Sequence, residues 1–411
     1  MRVQVIATGS THHGVVPGFG VPDTVESPPA TYDGWQPRAI LGAESPGGLL
    51  LPPAMPTAAH LYAPRAAWTD GQRVVAADTG NHRVLVWDGV PDTDGVPAAV
   101  LLGQLDEHSE GPAAGGAGPE NGMHLPTGVL VHDGRLVVAD AWHHRVLVWD
   151  TVPTRTGTPP DHVLGQPDHS SVQPNAGGEA DATALYWPFG IAVVDGRFHV
   201  ADTGNRRVLV WREGIPDPGQ PADLVLGQPD ARSREENRGA DVAADSFRWP
   251  HAFAATGSGG LLVADAGNHR LLRWDRHPDE DRPADAVLGQ PGFDLGTEFP
   301  YVSQAGRLRF PYGVTSVDGE LAVADTANNR ILLFDTTYAV GDDLPHAVLG
   351  QPTLAANGEN RWEKVDADTL CWPYGLHWHR SGTGDRAGAG AAELMVVADS
   401  GNNRVVVWER P

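Results

Sequence analysis

Six carboxylate–guanidinium pairs, each five residues apart, are the first candidates for chemistry in this chain. They are Asp78–Arg83, Asp140–Arg145, Asp202–Arg207, Asp265–Arg270, Asp325–Arg330 and Asp399–Arg404. An Asp and an Arg across a tight turn can pair in a forked geometry, and the Asp can also bond turn amides. Successive Asp positions lie 60 to 74 residues apart. A catalytic group is normally needed once, so a pair needed six times builds six copies of one unit. The pairs are therefore expected to be structural.

The unit is legible around the second pair. Pro126 to His132, Arg135 to Asp140, Arg145 to Asp150 and His162 to Gly165 are short β-branched runs bounded by Gly, Pro, Asp and His. Asp133-Gly134 is a two-residue hairpin signal. Runs such as LVVA and VLVW lack alternation, which implies burial on both faces. Four antiparallel strands repeated radially give an all-β, six-bladed β-propeller, an arrangement that leaves only short, protected sheet edges.

A Leu-Gly-Gln signal marks the fourth strand at Leu102, Leu164, Leu226, Leu288 and Leu349, one copy short of six. The missing copy is Ala39-Ile40-Leu41-Gly42, while the last repeat stops after its third strand. The N-terminal segment is expected to complete the last blade and close the ring. Residues 1–35 then form an extension without an assigned role, and 36–411 form a single propeller. Ser381 to Ala392 reads as a hairpin tip that lengthens the last interval.

This architecture places further candidates. A proline opens each innermost strand, as in Trp187-Pro188-Phe189-Gly190. The residue after it is Arg65, Thr127, Phe189, His251, Tyr312 or Tyr374, and these six should ring one mouth of the axial channel as a ligand or partner site, or plug it. The long connections Asp168 to Tyr186 and Asp230 to Arg248 should share a face with the Asp–Arg turns, making it the binding face. Their ends resemble single helical turns. In the second repeat, Trp142-His143-His144 departs from the Gly-Asn of most others, offering an aromatic partner contact.

Of 18 histidines, His82, His144 and His269 occupy equivalent turns, too far apart to share an ion whose ligands must lie about 2.1 Å away. His251 and His377 are weak metal candidates, and no cofactor is expected. Cys371 is the lone cysteine, so neither an internal disulfide nor a cysteine-based zinc site is available. No nucleophile elbow or phosphate loop is present, and no catalytic residue is assigned. A net charge of −23 disfavours nucleic acid. No run approaches the ~20 apolar residues of a membrane helix, and a cytoplasmic protein is the expectation.

DTGNHR, DTGNRR, DAGNHR, DTANNR and DSGNNR resemble the D-x-x-N-x-R signature of NHL repeats, a six-bladed propeller class, over roughly residues 36–410. DAWHHR departs from it at His143. The resemblance implies a protein- or RNA-binding platform, or a metal-dependent lyase or lactone hydrolase with zinc or calcium at the channel mouth. It also implies a scaffold of the kind that accompanies redox enzymes such as nickel-iron hydrogenases. A non-catalytic protein-binding scaffold is the first expectation; RNA binding is the last.

Overall fold

The computed structural model describes residues 32–43, 55–298, 305–335, 340–381 and 393–411. The proposed extension falls largely in 1–31, and the proposed hairpin tip in 382–392. Those stretches lie outside the described residues.

Six four-stranded antiparallel sheets succeed one another along the chain. In the second blade the strands are Pro126–His132, Arg135–Asp140, Arg145–Trp149 and His162–Leu164, close to the ranges read from the sequence. Asp133 and Gly134 both have positive φ (49° and 78°), as a two-residue hairpin requires. Each blade sits between two others, and the core is correspondingly divided. Six apolar clusters each join neighbouring blades. One, for example, combines Val75, Val84 and Leu102 of the first blade with Leu136, Val138 and Trp149 of the second. Burial on both faces is why the middle strands show no alternation.

The ring closes through the chain termini. The first strand, β1 (Gln36–Leu41), pairs antiparallel with Arg404–Arg410, with Leu41 opposite Val405 and Gln36 opposite Glu409. Trp35, just before it, is buried edge-on against Trp378 of the last blade. The Leu-Gly-Gln copy missing from the C-terminus is thus supplied by Ala39 to Gly42.

The Asp–Arg motif is a hub rather than a simple pair. Asp and Arg face each other at the end of the hairpin between strands two and three, joined by a single 3-10 turn and one left-handed residue. All six pairs are buried, with Nε to Oδ2 distances of 2.6–3.0 Å. The forked geometry expected from the sequence does not form, because only Nε meets the carboxylate. The other nitrogens of Arg270 bond the carbonyls of Phe293, Ala243 and Ser246, in the loops after and before its blade. The carboxylate is equally committed. Asp265 Oδ2 accepts from Asn268, and Oδ1 from the Arg248 amide at the start of the same blade.

His143 fits this scheme without strain. Its Nδ1 contacts Asp140 Oδ2 at 2.9 Å, the bond that Asn81, Asn205, Asn268, Asn328 and Asn402 make through Nδ2. The imidazole stands in for an amide.

In five of the six turns the left-handed residue reaches the next blade. Nδ1 of His82, His144 and His269 accepts from the amides of Leu125, Trp187 and Phe310 at 3.1–3.2 Å. Asn329 and Asn403 do the same through Oδ1 to Trp372 and Ala63. All five residues donating this bond precede a proline and have positive φ, between 46° and 55°. Arg206 replaces the acceptor in the third blade; there Trp249 turns its amide to Asp265 and keeps an ordinary φ. The histidines are therefore blade-to-blade fasteners. Burial pushes all three down to about 4, so they stay neutral and keep the Nδ1 lone pair.

The helical turns expected at the ends of the long connections are absent. Asp181 instead caps its own turn, its Oδ1 accepting from the Thr183 and Ala184 amides at 2.7 and 2.8 Å. Short 3-10 turns lie earlier, at Pro174–Gly177 and Glu236–Gly239. An Asp that satisfies two amides by its side chain removes the incentive to continue a helix. Among the described residues, no helix is long and apolar enough to cross a membrane.

Candidate functional site at the axial mouth

Pairing of the innermost strand with the second is interrupted just after the opening proline, for instance between Pro126 and Gly128. The same shift recurs in the next four blades. An irregularity of this kind re-aims a side chain. The displaced residues are those the sequence placed at the mouth, and the structure brings them together on the axis.

Ring centroids of Phe189 and His251 are 4.1 Å apart, His251 and Tyr312 4.5 Å, and Tyr312 and Tyr374 4.7 Å with planes only 9° apart. Phe189 also meets Tyr312 and Tyr374 across the axis at 6.2 and 6.5 Å. Thr127 fills the remaining gap, its hydroxyl donating to the Phe189 carbonyl at 2.9 Å. Arg65 lays its guanidinium over Tyr374 at 5.0 Å and Phe189 at 5.8 Å. The six side chains form an aromatic plug rather than an open rim. Five of them, all but Tyr374, line a cavity of about 240 Å³ whose walls include Trp68, Leu130, Ile191, Phe253, Val314 and Leu376.

The electrostatics are simple. The lining contains no carboxylate, and Arg65 is its one permanently charged side chain. Burial pushes His251 down to about 3, so it is neutral, with Nδ1 2.8 Å from the Trp249 carbonyl. Burial raises Tyr312 and Tyr374, so both hydroxyls keep their protons.

A divalent ion does not fit this donor set. His251 and His377 are the only His, Cys, Asp or Glu side chains in the lining. They are not brought together, since His377 packs on Trp68, away from the plug. The Arg65 cation, close enough to His251 to oppose its protonation, would also repel a bound cation. Among the described residues, Asp33, Glu320 and His346 come close enough to share an ion. Both of those carboxylates are already paired with Arg410.

Around the plug the loop-bearing face is aromatic. Its long loops are held over the Asp–Arg turns, as the sequence suggested, because the arginines bond their carbonyls. Trp142 is 48% exposed, its ring 6.3 Å from Trp187. Trp372 and Trp362 are 42% and 77% exposed. Of the Trp142-His143-His144 group, Trp142 is exposed, His144 half-buried and His143 buried; both histidines serve the fold as described. Trp362 was not singled out in the sequence, because nothing local distinguishes an exposed loop Trp from a buried one.

The architecture defines a closed six-bladed propeller with a plugged axis. Residues 247–274, three strands of the fourth blade, match the NHL repeat model, in keeping with the six-bladed propeller. No curated protein matches it. Similar solved structures include virginiamycin B lyase from Staphylococcus aureus, at 14% identity and TM-score 0.39, covering 85% of this chain and 84% of that one. Another is the WD40 propeller domain of Doa1, at 11% and 0.44, covering 92% and 98%. A third is a nidogen/laminin complex, at 13% and 0.43, covering 76% and 84%.

Proposed function

We propose that this protein is a non-catalytic scaffold that binds a protein partner through its loop-bearing face. The observation that carries this reading is the set of exposed tryptophans, Trp142, Trp362 and Trp372, around an aromatic plug. Tryptophan is enriched at binding hot spots, and exposed apolar surface with a polar rim marks interaction sites. The recurring polar groups support it from the other side. The Asp, Arg, Asn and His of the six motifs are consumed by bonds within and between blades, which leaves no spare acid–base pair at the mouth. The family resemblance extends the reading to an accessory protein of a redox enzyme, such as a hydrogenase.

The test is capture from a native extract with the tagged chain and with a Trp142→Ala/Trp372→Ala variant. A near-stoichiometric partner that survives moderate salt and is lost in the variant, at unchanged melting temperature, supports the scaffold. Mass spectrometry of that partner tests the redox association. Capture that is identical in both forms rules out this face.

A further inference from the structure

We propose that the axial mouth is a carboxylate-binding site centred on Arg65, a reading that deepens the scaffold assignment and rests on it for the ligand's origin. Several half-buried arginines have an Nε without a hydrogen-bond partner: Arg38, Arg206 and Arg238. Each of these bonds an acid or carbonyl through another nitrogen. Arg65 does not. Among the described residues nothing accepts a hydrogen bond from its guanidinium. Its Nε is buried without a partner, and the residue as a whole is half-buried.

This is an unusual place for an unpaired cation. The chain carries 52 acidic residues against 29 basic ones, yet no carboxylate lines the mouth. The guanidinium is partly stripped of water by the Tyr374 and Phe189 rings, which strengthens its attraction for an anion. The Tyr312 and Tyr374 hydroxyls stand in the same mouth. Neither has a partner among the described residues, and burial keeps both protonated as donors. One fork-shaped cation, flat ring walls and hydroxyl donors suit one planar monoanion, which a guanidinium can bind through two parallel bonds. A phosphate dianion would keep an uncompensated charge within an already acidic protein.

The carboxylate can come from a partner's acidic side chain or C-terminus, or from a free small acid. The full-length protein is titrated with succinate and with inorganic phosphate at constant ionic strength, by calorimetry. The same is done for Arg65→Met, Arg65→Lys and Tyr312→Phe/Tyr374→Phe, with melting temperature as the folding control. Saturable succinate binding is expected. It weakens about 10- to 100-fold in Arg65→Met, less in Arg65→Lys and in the tyrosine double variant, and phosphate binds more weakly.

No saturable succinate binding, or binding unchanged in a folded Arg65→Met, overturns the site. So does tighter binding of phosphate than of succinate. Displacement of a captured partner by succinate assigns the carboxylate to the partner; Arg65-dependent binding without displacement assigns it to a free acid. The two readings fail separately. Partner capture without any succinate site leaves the scaffold and removes this proposal, whereas an Arg65-dependent site in a protein that captures nothing does the reverse.

Discussion

Replacing Arg270 by Met tests the claim that the repeated pairs are architecture. Methionine keeps much of the volume, so the change removes bonds rather than opening a large cavity. Arg270 is fully buried and makes four hydrogen bonds, to Asp265 Oδ2 at 3.0 Å and to the Phe293, Ala243 and Ser246 carbonyls at 2.7–2.9 Å. Its loss strands the Asp265 carboxylate without its cation. Removing one partner of a buried pair costs about 3–5 kcal/mol. The three carbonyls can find water as their loops loosen, so they add little beyond that. Against a typical domain stability of roughly 5–15 kcal/mol, the variant should be severely destabilised. Urea unfolding followed by tryptophan fluorescence measures it. Arg207→Met, in the third blade, should behave alike, because its contacts are equivalent. A loss of about 1 kcal/mol or less, as for an exposed ion pair, refutes the reasoning. So does a function abolished by one of the two substitutions at unchanged stability.

The inter-blade histidines make stability pH-dependent in a definite direction. His82, His144 and His269 titrate near 4 when folded and near 6.5 when unfolded, so the unfolded chain binds protons first as pH falls. Their contribution is complete above pH 6.5 and lost progressively between 6.5 and 4. Melting temperature should decline between pH 6.5 and 5, where few carboxylates titrate. The decline should flatten when all three are replaced by Asn, the fastener of the fifth and sixth blades; an unchanged slope refutes the fastener role. Deleting residues 1–45 removes β1 and exposes the edge of Arg404–Arg410. The product should aggregate on size-exclusion chromatography, and a soluble, cooperatively melting deletion protein would count against the clasp.

The repeat, the strand ranges, the ring closure and the six mouth residues were legible in the sequence. Each rests on a local signal copied several times: the Asp–Arg turn, the opening proline, the Leu-Gly-Gln strand. Local signals survive folding when turn geometry and strand pairing act over a few residues, as Asp133-Gly134 shows. The ends of the long connections were misread because Ala-rich segments resemble helix. The side chain of Asp181 competes for the same amides and wins.

What only the tertiary structure decided lies between blades. The sequence places His144 in a turn, but not its bond to Trp187, 43 residues away. It marks His143 as a departure, but not as a substitute for an amide on Asp140. It lists Arg65 among six mouth residues, but not as a cation that no acceptor among the described residues meets. The physical reason is common to all three. A side chain's role depends on which donors, acceptors and charges surround it. On the axis of a propeller those neighbours come from strands up to some 300 residues apart, as with Arg65 and Tyr374. The chain alone therefore determined six blades and a closed ring, and the packing of those blades determined which polar groups remain available for binding.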